Sequence, residues 1–398
     1  MYKTENWWVS PFNFEEEVLK PMNLPKKVKV HDLTLRDGEQ MAGVVFDHDD
    51  KISIAKRLDA SGVDRIEAGN PVISQAERES IKAIAHLGLN AEIYSLSRSI
   101  KSDIDMALEC GVSGVLMYSP GSELQMEKKL GWSMERALST PAEVAAYAKS
   151  HGLKVAYTAY DTTRSNLNTL AEIYKQVTDV GKVDSIAIFD TVGCITPQAM
   201  SYLVSRIREI TKLPLEVHAH DDFGMATANT VAAVAAGVGT VQTAVNGLGE
   251  RCGNASTEEV VVALKLLYGV ETNVKMETLY GLSKFVEERS KVALSISKPL
   301  VGVNSFRFEA GLVVDGIVKY PLTMEPIIPS IVGQRNTIVL GKKSGKSSIT
   351  LKLKEAGIAS PTEEQVAAVL EKVKKEGETR KRILTDGEFA AIVKETIH

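Results

Sequence analysis

The sequence predicts a (β/α)8 TIM barrel followed by a linker and a small, mostly helical C-terminal subdomain. Three observations carry that prediction. Short apolar, β-branched runs recur roughly every thirty residues, the period of a strand–helix unit. Eight such runs can be counted, each followed by a segment of helical periodicity. No glycine-rich loop follows the first run, which argues against a doubly wound dinucleotide-binding sheet.

Residues 1–27 form a lead segment. Its opening, "MYKTENWWVSPFNFEEEV", lacks the basic region and apolar run of a signal peptide. The Trp7–Trp8 pair within it is expected to pack on a helix or plug a barrel. The barrel is expected over 28–290, with strands at "VKVHDLTL", "VDRIEAG", "AEIYSLS", "GVLMYS", "LKVAYTAY", "SIAIFDTVG", "LEVHAH" and "TVQTAVNG". Helical segments such as "DKISIAKRLDASG" and "TPAEVAAYAKSHG" lie between them and end in glycine, which takes a left-handed cap at little cost. Residues 291–345 are rich in Gly, Pro and Ser and read as a linker with short strands. Helical patterns return over 346–398, with Lys and Glu forming a solvated face.

Composition narrows the function. The 398 residues carry a formal net charge of -4, so there is no basic field for nucleic acid. No apolar run reaches membrane-spanning length. Cys110, Cys194 and Cys252 are far apart with no CxxC pair, which suits a reducing compartment, and the protein is expected in the cytoplasm.

The chemistry collects at the C-terminal strand ends, where barrels of this kind hold their active sites. The first strand ends in Arg36, Asp37, Glu39 and Gln40, and the second in Glu67 and Asn70. The third supplies Arg98, the fifth Tyr160, Asp161 and Arg164, and the sixth Asp190 and Thr191. The seventh supplies His218, His220, Asp221 and Asp222, and the loop after the eighth carries Glu250, Arg251 and Asn254. In "VHAH", two histidines at i and i+2 point to the same face of a strand. With Asp37 from the neighbouring strand they make a site for a divalent cation, with the carboxamide oxygen of Asn254 as fourth ligand. Mixed nitrogen and oxygen ligation suits zinc, manganese, cobalt or iron and admits magnesium. A 2-oxo acid fits such a site, with Arg36 facing the negative charge that develops on its keto oxygen.

The motifs "LTLRDGEQ", "IEAG.P", "DTVG…P", "HAHDDFGMATANT" and "NGLGERCGNAS" resemble the DRE-TIM metallolyases, most closely the homocitrate, isopropylmalate and citramalate synthase branch. "PLVGVNSF", "VVDG" and "LGKKSG" carry the resemblance through the linker. It implies an acyltransferase that adds the deprotonated methyl of acetyl-CoA to a metal-held 2-oxo acid in a Claisen-type condensation, then hydrolyses the thioester. It assigns Asp37, His218, His220 and Asn254 to a divalent metal (Mg, Mn, Zn or Co), Arg36 to electrophilic catalysis, and Gln40, Arg98 and Thr191 to the oxo-acid pocket; Asn70 is a further pocket candidate. It also implies a homodimer in which the C-terminal region of one chain covers the other's barrel mouth.

The chain departs from that pattern at residues assigned to acid–base work. Tyr160 stands where the family has a glutamate, Phe308 and Val313 where it has two linker histidines, Met324 where it has a tyrosine, and Gln125 where a histidine is usual. After His220 the only histidine in the sequence is His398. Proton transfer by a placed side chain contributes about a hundredfold or more. Three readings follow: condensation with acid–base duties moved to Tyr160, Asp161 or Tyr320; a metal-dependent lyase, aldolase or decarboxylase acting on an oxo acid without CoA; or a non-catalytic metal- and ligand-binding homologue.

Overall fold

The computed structural model describes residues 2–397; Met1 and His398, the first and last positions of the expected lead segment and C-terminal subdomain, lie outside the described residues. Those described fall into two compact units, Pro11–Leu294 and residues 2–10 with 295–397.

The first unit is a closed, all-parallel barrel of eight strands: β1 (Lys29–Asp32), β2 (Arg65–Glu67), β3 (Glu92–Arg98), β4 (Gly114–Pro120), β5 (Lys154–Tyr160), β6 (Ser185–Asp190), β7 (Leu215–Ala219) and β8 (Thr240–Thr243). Closure is direct: β1 pairs with β8 from Lys29 opposite Thr240 to Asp32 opposite Thr243. Polar side chains start the returning helices by accepting otherwise unpaired backbone donors, as Asp47 does from Asp50 N and Ser74 from Glu77 N. Gly62 ends its helix at φ +89, in a place where any side chain would run into the Asn273 carbonyl.

Strand alternation sends every second side chain inward. Toward the N-terminal ends of the strands the interior is polar. Arg65 Nη1 lies 2.8 Å from Glu216 Oε1, which also accepts from Ser185 Oγ at 2.7 Å, while Gln242 donates to Glu216 Oε2 at 2.9 Å. Burial alone would raise the Glu216 carboxyl, but Arg65 and His31 hold it below the usual carboxylate range. An apolar layer of Tyr94, Leu96, Leu116, Ala156, Tyr160, Ala187 and Phe189 packs within the barrel. A plugged interior of this kind leaves the C-terminal strand ends as the place for chemistry.

The second unit brings together the expected linker and helical segment. Its core is Leu340, Ile349, Leu353, Val366, Val369, Val373, Leu384, Phe389 and Ile392, beneath helices Lys346–Glu355, Glu363–Arg380 and Asp386–Thr396. Two short strands, Arg307–Phe308 and Thr337–Ile338, pair in parallel. The linker also contains a nine-residue helix, Gly311–Lys319, which its glycines and β-branched residues disguised in the sequence. Gly316 within it allows Met324 to pack against the helix backbone. Within the second unit the backbone of Trp7 bridges to Ile327, and Trp8 is half-exposed. Lys342 and Lys343 of "GKKSGK" pair with Glu378 and Glu309, which makes that stretch a structural turn. No helix among the described residues is long and apolar enough to cross a membrane.

Candidate metal centre

The polar residues that end "LTLRDGEQ" sit on a tight turn. After β1 the amides of Arg36 and Gly38 both return to the Leu33 carbonyl, at 3.0 Å each, and this places Arg36 and Asp37 at the barrel mouth. Both are buried. At the C-terminal end of β7, alternation brings His218 and, one residue past the strand, His220 inward together, and their Nε2 atoms approach to 3.0 Å. Asp37 Oδ2 lies 3.8 Å from the first and 3.9 Å from the second. These three side chains are the one cluster of its kind among the described residues whose ligand atoms lie within 4.8 Å of one another.

Protonation favours ligation. Burial holds both imidazoles below the usual histidine range, with His220 adding to the effect at His218, so each presents a lone pair. Burial would raise the Asp37 carboxyl, but Arg36 and then the two histidines keep it well below the usual carboxylate range. Asn254 completes the set. Its Nδ2 donates to Asp37 Oδ1 and to the Leu248 carbonyl, both at 2.9 Å, while its Oδ1 is buried with no protein partner. A buried acceptor without a donor is costly, and a cation beside it would satisfy it. Two neutral imidazoles, one carboxylate and this orphaned oxygen fit a divalent ion.

The loop after β8 owes its shape to two glycines. A side chain at Gly253, φ +96, would collide with the Gly247 carbonyl, and one at Gly249 with the Asn254 carboxamide. Without those side chains the loop folds back and lays Asn254 on Asp37. Arg251 is held by Asp222, at 2.8 Å, and only loosely by Glu250, at 3.8 Å.

Arg36 is gripped on three sides. Its Nη1 lies 2.5 Å from Asp37 Oδ2 and donates to Gln40 Oε1 at 3.3 Å, and its Nη2 lies 3.0 Å from Glu67 Oε2. Glu67 is fully buried, and burial pushes its carboxyl up to about 7 despite the guanidinium beside it. Its role as the partner of Arg36 was not legible in the sequence. The available signal was a charge at an inward position of "RIE", since a buried charge requires a partner.

The other expected site residues separate. Gln40 joins the arginine, and Asn70 lines a cavity of about 650 Å³ with Arg36 and Gln40. Thr191 Oγ1 accepts from Asp161 N at 2.8 Å. Arg98 is turned to Asp103, at 2.8 Å, with its side chain 45% exposed. Asp161 holds a loop together. It is fully buried at φ +65, and its oxygens accept from Ser122 Oγ at 2.6 Å and from Arg164 at 2.8 and 3.0 Å. Tyr160 does face the mouth, edge-on to Tyr118 at 5.7 Å, with its hydroxyl 3.3 Å from Gln125 Oε1. Burial pushes its phenol up to about 12. In the second unit, Phe308 and Val313 line a cavity of about 470 Å³.

Known proteins match along most of the chain. Residues 27–286 match the HMGL-like family, and residues 300–381 match the homocitrate synthase post-HMGL domain-like family. A homocitrate synthase, AksA, of Methanopyrus kandleri is 45% identical over 96% of this chain and 96% of its own. An (R)-citramalate synthase, CimA, of Methanocaldococcus jannaschii is 47% identical over 92% of this chain and 74% of its own. A 2-isopropylmalate synthase of the same organism is 42% identical over 96% of this chain and 74% of its own. Among solved structures, an HMG-CoA lyase from Brucella melitensis shares the fold at a TM-score of 0.60 and 21% identity, covering 67% of this chain and 100% of its own. The chain therefore belongs to the HMGL-like, DRE-TIM family, in the branch of homocitrate, citramalate and isopropylmalate synthases, acyltransferases that form a carbon–carbon bond.

Proposed function

We propose that this chain is a divalent-metal-dependent synthase that adds the acetyl group of acetyl-CoA, or of a similar acyl-CoA, to a 2-oxo acid. The observation that supports this reading most directly is the convergence of His218 and His220 Nε2 beside Asp37, with Arg36 2.5 Å from the same carboxylate. Asp37, His218, His220 and Asn254 would hold the cation, which when bound polarises the keto carbonyl of the oxo acid. Arg36, fixed by Glu67 and Gln40, faces the oxygen on which negative charge develops and stabilises it. Gln40 and Asn70 orient the acid, while Thr191 and Arg98, which the resemblance also assigns to the pocket, are engaged by Asp161 and Asp103. Tyr160 keeps its proton through the neutral range and serves as a hydrogen-bond donor.

Three further parts of the reading rest on the resemblance and on composition. They are a homodimer in which each C-terminal region covers the partner's barrel mouth, a choice among Mg, Mn, Zn and Co, and a reducing cytoplasmic setting that suits three free cysteines.

One observation favours a second reading. Tyr160 is pushed up to about 12 and so stays a protonated phenol, and the Asp161 oxygens are engaged by Ser122 and Arg164, so no free base faces a thioester methyl from this loop. A lyase or aldolase cleaving an oxo-acid adduct without CoA would use the same cation and arginine and need no such base. Thiol release from acetyl-CoA, measured on metal-loaded protein with a panel of 2-oxo acids, separates the two. Oxo-acid-dependent CoA release is expected. Its absence with every acid, together with cleavage of hydroxy- or oxo-acid adducts, would replace the first reading by the second.

A further inference from the structure

The cavity beside Arg36 is walled by two loops, the one after β1 that carries Glu39, Gln40 and Phe46, and the one after β2 that carries Asn70 and Ile73. Lys51, in helix His48–Ser61, is 1% exposed. A lysine is rarely buried so completely unless its charge is answered. Its Nζ lies 2.6 Å from Glu39 Oε2 and 2.5 Å from Glu77 Oε2. Each carboxylate spends its other oxygen on one loop. Glu39 Oε1 accepts from Phe46 N at 2.9 Å, and Glu77 Oε1 accepts from Asn70 N at 3.2 Å. Gly69, at φ +149, lets Glu77 come this close, because a side chain there would strike the carboxylate.

We propose that Lys51 is a positioning residue that ties the two loops into one unit and so sets Gln40 and Asn70 for the oxo acid. This deepens the function proposed above and rests on it for the identity of the ligand. Two carboxylates held this close around one buried point, with little water to screen them, are stable there only around a cation. Glu77 shows the strain of that arrangement: burial pushes its carboxyl up against the pull of Lys51. Without the ammonium the two carboxylates repel and move apart, and the Phe46 and Asn70 amides lose their acceptors together. Gln40 follows Glu39 directly in the chain and accepts from Arg36, so the displacement reaches the substrate side of the arginine. The metal ligands make no contact with Lys51 in this network and should be spared.

Amide hydrogen exchange and ligand titration test this on the full chain. In Lys51→Met, protection of the Phe46 and Asn70 amides should both fall, by about tenfold, the loss expected when a buried donor is left without its acceptor. Glu39→Ala should release Phe46 alone, and Glu77→Ala should release Asn70 alone. Those two variants keep one balanced ion pair, and they carry the test should Lys51→Met fail to fold. On manganese-loaded protein titrated with pyruvate, 2-oxoisovalerate and 2-oxoglutarate, Lys51→Met and Glu39→Ala should raise the Kd of whichever acid binds by about tenfold, with manganese affinity unchanged. Unchanged exchange at either amide in Lys51→Met would overturn the proposal. So would equal loosening of both loops by Glu39→Ala, or a parallel loss of manganese affinity, since each marks general softening. If the unmodified chain binds none of the three acids, the proposed function fails on that ground, and the exchange pattern still decides whether Lys51 couples the loops.

Discussion

The two sides of the barrel mouth are built from different chemistry. On the side of β1, β2, β7 and β8, charge converges: Arg36, Asp37, Glu67, His218 and His220 are all buried and each answers another. On the side of β4, β5 and β6, aromatic rings face one another: Tyr118 against Tyr160, with Phe189 bridging to His218 at 4.3 Å. The charged side has what is needed to hold a cation and an oxyanion. The aromatic side offers the phenolic protons of Tyr118 and Tyr160 and a surface that excludes water. On the proposed reading, binding and polarisation are concentrated on one wall, while the opposite wall lacks the carboxylate that the resemblance places at position 160.

If that division is right, substitutions on the charged side should have the larger effects. Removing a metal ligand comes first. His218→Ala or His220→Ala should abolish stoichiometric metal binding and lower turnover by on the order of a thousandfold or more, since the carbonyl loses its polarisation. Metal content after dialysis, with turnover measured alongside, checks this, and exhaustive chelation of the unmodified chain should reproduce it. Arg36→Lys comes next. A point charge cannot keep three directed contacts to Asp37, Glu67 and Gln40, so the rate should drop by about a hundredfold with metal still bound. A Gly249→Ala substitution should weaken metal affinity by about tenfold to a hundredfold, because its methyl displaces Asn254 from Asp37. Calorimetric titration with manganese measures that.

Much of this was legible in the sequence, and for a physical reason. The eight strands announce themselves because buried parallel strands must be apolar and β-branched, and the meeting of His218 and His220 because strand alternation puts "HAH" on one face. What was hidden depends on long-range pairing. Lys51 sits in a helix whose pattern reads as an ordinary amphipathic surface, and nothing local marks it as buried between Glu39 and Glu77. Arg98 and Asp161 occupy strand ends, where polar residues are expected to serve the site, yet each is taken up by a neighbour a few residues on, Asp103 and Arg164. The helix Gly311–Lys319 was obscured by residues of low intrinsic helix propensity that packing overrides.

The aromatic side should give the smallest effect and the sharpest comparison. If Tyr160 acts as a donor, Tyr160→Phe should lower thiol release by about tenfold, at the weak end of what a placed proton carrier contributes, and leave metal affinity untouched. Because burial pushes the phenol up to about 12, it stays protonated across the neutral range. The pH–rate profile should therefore keep its shape in the Phe variant and simply shift downward. A profile that loses a limb in Tyr160→Phe would mean that the phenolate, not the phenol, does the work. Tyr160→Glu carries the comparison further by placing a carboxylate opposite the charged wall. It should speed thiol release if a missing base limits the reaction, and should slow it if the aromatic wall is itself the adaptation to this chain's substrate.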